Sequence, residues 1–101
     1  MLVVIATMTA RAGKEQEMEK ALLDMIPKVE DEEGTLVYAL HRVRKEPRKF
    51  IMYEKYRDKE SFKLHGATPY FAELFGAIGP LLDGDPSLEI CEILAAIREK
   101  S

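Results

Sequence analysis

The order in which two hydrophobic periods follow one another constrains this chain most. Leu2 to Arg11 is rich in β-branched residues and closes on Gly13, a turn signal, so it reads as a buried first strand. Met18, Ala21, Leu22, Met25, Ile26 and Val29 then recur at helical spacing, while Glu15, Glu17, Glu19, Lys20, Asp24 and Lys28 fill the other faces. That is a surface helix covering something apolar. Pro27 lacks an amide donor and is expected to bend the helix or loosen its last turns, which end before Gly34.

Two further strands are predicted from alternation, Thr35 to Lys45 and Phe50 to Arg57, with Glu46-Pro47-Arg48-Lys49 as the hairpin connection. Asp58 suits the cap of a short helix, and Thr68 with Pro69 suits the start of another, which Gly79-Pro80 stops. After the Gly84-Asp85-Pro86 turn, Ser87 to Ala95 reads as a last strand. The order β-α-β-β-α-β predicts a ferredoxin-like α+β fold: an antiparallel sheet with helices on one face. A length of 101 residues with 47% hydrophobic content predicts one domain spanning 1–101. Because Val37, Ala39 and Val43 alternate against Leu36, Tyr38 and Leu40, and the last strand is apolar on both faces, the uncovered face is too apolar for water. A homodimer through the sheet face is the expected remedy.

Fifteen basic and 18 acidic residues give a net charge of −3, so no basic footprint for nucleic acid stands out. Cys91 is the lone cysteine, which excludes an internal disulfide and a cysteine-based zinc site, and suits a reducing interior such as the cytoplasm. Met1 to Ala6 is apolar but too short for a signal segment or a membrane span, so no membrane association is expected.

Chemistry concentrates between Tyr53 and Leu74. His65 follows Phe62 by three positions, so a helix places both on its inner face, where the imidazole could meet a phenol or enol above the sheet. A histidine near a helix end also serves structurally, by binding carbonyls there. Tyr38, Tyr53, Tyr56 and Tyr70 bring four phenols to the same region, suited to orienting a planar aromatic ligand and equally to packing. In a strand Glu54 and Tyr56 share one face and Tyr53 and Lys55 the other. Glu54 there is a proton relay, an orienter of His65, or one half of an ion pair. His41 lies near a basic run that reads as a solvated hairpin tip, and no chemistry is assigned to it. With two histidines, and no helical pair of them, no metal site is expected; phosphate-cradling glycine loops and nucleophile motifs are also lacking.

Four segments carry a resemblance that runs nearly end to end: the first strand with Gly13-Lys14-Glu15, Glu33-Gly34-Thr35-Leu36-Val37-Tyr38, Phe50 to Tyr56, and His65-Gly66-Ala67-Thr68-Pro69-Tyr70-Phe71. Together they resemble the antibiotic biosynthesis monooxygenase family, small ferredoxin-like proteins that form dimeric α+β barrels. The resemblance implies several possible activities. Some members oxidise quinols or polycyclic phenols with molecular oxygen and no prosthetic group; others isomerise signalling sugars or degrade haem. The haem branch uses an asparagine, a tryptophan and a histidine, and this chain has neither asparagine nor tryptophan. Tyr56 stands where relatives often carry tryptophan, and Tyr70 where many carry a second histidine.

The expectation is therefore a cofactor-independent monooxygenase acting on a quinol or polyphenolic aromatic. Its catalytic residues would be His65 as base and Glu54, with Tyr38, Tyr56, Phe62 and Tyr70 against the substrate. The alternatives are an isomerase of a small enolisable metabolite in the same pocket, and a non-enzymatic ligand-binding or assembly module.

Overall fold

β-Branched and alternating segments become strands, and the periodic segment becomes a helix. The computed structural model describes residues 1–100. In chain order they form β1 (Leu2–Thr9), α1 (Glu15–Val29), β2 (Thr35–Val43), β3 (Glu46–Tyr56), α2 (Lys59–Gly66), α3 (Pro69–Ile78), a 3-10 turn (Gly79–Leu81) and β4 (Ser87–Glu92). The sheet runs β2-β3-β1-β4 with every neighbour antiparallel. This is the ferredoxin-like α+β arrangement that the order of elements predicts.

Register decides which residues face the helices. Val4, Ala6 and Met8 of β1 pair with Glu54, Met52 and Phe50 of β3, and these in turn face Tyr38, Leu40 and Arg42 of β2. Met8, Phe50 and Met52 meet Met18, Leu22, Met25 and Val29 of α1 and Leu74 and Ile78 of α3 in the core. The four α1 residues are the apolar stripe of that helix, so the helical period is spent on this contact. Gly13 takes a positive φ of 83° at the turn between β1 and α1, a backbone state that glycine reaches without a side-chain clash.

The hairpin and two strand ends are corrected, while α1 ends before Gly34 as expected. The β2–β3 turn is Arg44-Lys45, because Val43 already pairs with Glu46. Pro47 has no amide to give β2, and Arg48 serves β1 instead: its carbonyl accepts from the Ala10 amide at 2.8 Å and its guanidinium donates to the Ala10 carbonyl at 3.1 Å. The register therefore slips between Arg42, opposite Phe50, and Val43, opposite Glu46. Helix α1 passes through Pro27 to Val29, and the Glu30 amide still reaches the Ile26 carbonyl at 3.2 Å. The carbonyl that Pro27 releases belongs to Leu23, a half-exposed residue on the water side. Strands β1 and β4 end at Thr9 and Glu92, short of Arg11 and Ala95.

Candidate active site

Two side-chain caps carry His65 to its place. Asp58 accepts from the Ser61 amide at 2.8 Å and starts α2, whose last turn holds His65. The Thr68 hydroxyl donates to the His65 carbonyl at 2.8 Å and accepts from the Phe71 amide at 3.3 Å, so one residue ties the end of α2 to the start of α3. The imidazole is only 2% exposed. It lies among Tyr38, Tyr56 and Phe71, with ring centroids 5.3, 5.6 and 5.4 Å away.

Its nitrogens are not equivalent. Nδ1 donates to the Glu32 carboxylate at 2.9 and 3.2 Å. Glu32 also accepts from the Thr35 hydroxyl at 2.7 Å and from the Tyr70 hydroxyl. A carboxylate with three converging donors is an acceptor, so it fixes the proton on Nδ1. Nε2 is then the nitrogen that this network leaves unused.

His65 forms part of the wall of a cavity of about 310 Å³ between the sheet and the helices. His65, Glu54, Tyr38 and Phe62 line it together with Met8, Met52, Phe71 and Leu74, and its rim runs along Lys63, Pro86, Ser87 and Leu88. The walls are chiefly apolar. Glu54 is buried there, and loss of hydration pushes its carboxyl from 4.5 up to about 7; the Tyr56 bond works against that rise and the nearby Glu32 charge adds to it. Burial likewise pushes the Tyr38 phenol up, so it stays protonated at neutral pH.

The structure thus brings four of the six expected residues to one cavity and sets the other two behind it. Tyr56 is fully buried and donates to Glu54, and Tyr70 donates to Glu32; neither lines the cavity wall. Burial and the Glu32 bond push the Tyr70 phenol up to about 12. Tyr53 sits on the opposite sheet face. The orienter of His65 is Glu32, which sequence reading missed, and not Glu54. The acidic run Glu30-Asp31-Glu32-Glu33 was the available signal, but each member reads alike as a solvated loop residue. Among the described residues no group of three or more His, Cys, Asp or Glu side chains could hold a metal ion, and no helix is long and apolar enough to cross a membrane.

A ferredoxin-like sheet with a carboxylate-anchored histidine on the wall of an apolar cavity defines a small α+β protein with a partly open, ligand-sized space between its sheet and helices. The chain belongs to the antibiotic biosynthesis monooxygenase family, whose sequence profile it matches over residues 1–76. It is similar to a Caulobacter crescentus protein provisionally described as an antibiotic biosynthesis monooxygenase, at 35% identity over 93% of this chain and 90% of the other, with a TM-score of 0.88. A Pseudomonas aeruginosa protein is 30% identical over 93% of this chain and 94% of the other, TM-score 0.87. A Shewanella oneidensis protein is 29% identical over 89% and 87%, TM-score 0.83. No curated protein matches the chain in sequence.

Proposed function

We propose that the cavity is the active site of a cofactor-independent monooxygenase for hydroquinones and related phenolic polycycles. The observation that carries this reading is the buried His65, held through Nδ1 by Glu32 on the wall of an otherwise apolar cavity. Nε2 takes the phenolic proton, leaving an electron-rich anion in a water-poor chamber. That anion reduces dioxygen directly. A hydroquinone plus dioxygen gives a hydroxyquinone plus water: one oxygen atom forms a new carbon–oxygen bond, the other leaves as water, and the substrate supplies all the reducing equivalents. Tyr38, Phe62 and Phe71 hold the ring, and Glu54 receives the second phenolic proton. The volume lies at the low end for ligand pockets and suits a compact aromatic.

The functional protein is a homodimer through its uncovered sheet face and works in the cytoplasm, where Cys91 stays a free thiol. Oxygen uptake above the spontaneous rate, with naphthohydroquinone and anthrone as substrates, tests the assignment. His65→Ala should slow uptake by about 10²–10⁴-fold, the scale of a lost general base. Equal rates in both proteins would remove His65 from the chemistry. A second reading is favoured by the presence of two proton-handling groups, His65 and Glu54, on one cavity: isomerisation of an enolisable metabolite. Turnover that persists without oxygen selects it.

A further inference from the structure

We propose that Tyr38 is a partition that sets how long a ligand the cavity accepts; this rests on the cavity being the ligand site described above. A second hollow of about 320 Å³ lies between the last turns of α1 and the start of β2, walled by Ile26, Val29 and Leu36 with Glu30 and Thr35 at its edge. Among the described residues Tyr38 is the one side chain that lines both spaces. It rises from edge strand β2 on the helix side, opposite Glu54, with its ring centroid 5.3 Å from that of His65.

Position explains the effect. A planar ligand seated against His65 has two directions in which to extend. Toward β4 it reaches the rim at Pro86, Ser87 and Leu88, where Leu88 is itself 57% exposed, so a further ring remains in water. Toward β2 it meets the Tyr38 ring. Beyond that ring lies a half-open groove in which Ile26, Val29 and Leu36 offer one aliphatic side, with Leu36 44% exposed, and another fused ring would pack one face against that side if the partition were gone. The residue therefore limits how much of a longer ligand is taken out of water, so a third ring adds little affinity while Tyr38 is in place.

Anaerobic calorimetric titration with hydroquinone, naphthohydroquinone and anthrahydroquinone reads this directly, because it needs no turnover. Wild type and Tyr38→Phe should bind the two- and three-ring compounds within about threefold of each other. Tyr38→Ala should bind anthrahydroquinone about tenfold more tightly than wild type, the gain expected from burying one more ring. Adding Ile26→Trp to that variant refills the second hollow and should abolish the gain. Tyr38→Leu keeps an aliphatic stem against the core and should show a smaller gain of the same kind, which covers failure of the alanine variant to fold. Absence of any gain in folded variants, or a gain that Ile26→Trp leaves intact, overturns the partition alone. Wild type binding none of the three compounds overturns both the partition and the ligand site, whereas normal binding with no oxygen uptake overturns only the oxygenase reading.

Discussion

Glu32 decides which nitrogen of His65 carries the proton. Since its carboxylate already takes donors from Thr35 and Tyr70, replacing it by glutamine puts an amide N–H against one of these donors or against Nδ1. The imidazole then loses its fixed tautomer while its surroundings keep their shape. Glu32→Gln should lower kcat for quinol oxidation by about 10²–10⁴-fold, up to the scale seen when a base loses the carboxylate that fixes its tautomer. KM should stay nearly constant, and steady-state kinetics on the folded variant checks both. Glu54 has a different consequence, for stability. Its carboxyl ionises at about 7 in the folded chain against 4.5 ordinarily, and burial is the main cause. Below 4.5 the folded and unfolded chains both hold the proton; between 4.5 and about 7 the unfolded chain gives it up first, so the fold loses stability as pH rises through that window. The loss is on the order of 3 kcal/mol. Urea unfolding should show wild type weakening relative to Glu54→Gln from pH 4.5 to above about 7. A difference between the two proteins that does not vary with pH would mean that the carboxyl is not desolvated in solution.

Helix α2 is positioned by contact as well as by its cap. A Cβ on Gly34 would lie 2.0 Å from the Ser61 hydroxyl oxygen and 2.4 Å from its Cβ, so the loop after α1 and the first turn of α2 touch without room for a methyl group. Ser61 is buried and its hydroxyl donates to Asp58 at 2.7 Å, so it has little freedom to swing away. Gly34→Ala should cost about 1–3 kcal/mol through overpacking and shift α2, carrying His65 away from Glu32. Ser61→Gly leaves only the Cα, at an ordinary 3.5 Å, so the double variant should recover part of the loss. A double-mutant cycle in urea measures this coupling, and strictly additive losses would refute the contact. The two helix starts were legible because Asp58 and Thr68 bond to amides three residues on, within reach of a local pattern. Glu32 was illegible because its partner is 33 positions away, joined to it only by the fold. The hairpin was misplaced for the same reason: the slip at Pro47 to Lys49 depends on Arg48 serving the end of β1.

On the whole molecule, the helices leave one sheet face bare. Alternation against the core residues puts Ile5, Val37, Ala39, Ile51 and Tyr53 on that face, and the register lines up Ile5 with Tyr53 and Tyr53 with Ala39 across three strands. All five are partly or largely exposed. The apolar character of this face was readable from strand alternation alone, whereas the cavity on the other face needed helices α2 and α3 to be set in space. A contiguous apolar surface spanning three strands is unfavourable in water, and in the dimer proposed above a second copy presenting the same surface would cover it by two-fold symmetry. Sedimentation equilibrium should therefore give a dimer. Ile51→Glu places a carboxylate at the centre of the contact, where two copies would bring like charges together, and should yield a monomer. Because His65 and its cavity lie on the opposite side of the sheet, the monomeric variant should still bind naphthohydroquinone with wild-type affinity in anaerobic titration. A wild-type chain that sediments as a monomer would leave the bare face without this partner, and a monomeric variant that no longer binds would show that the second copy supports the cavity through the sheet.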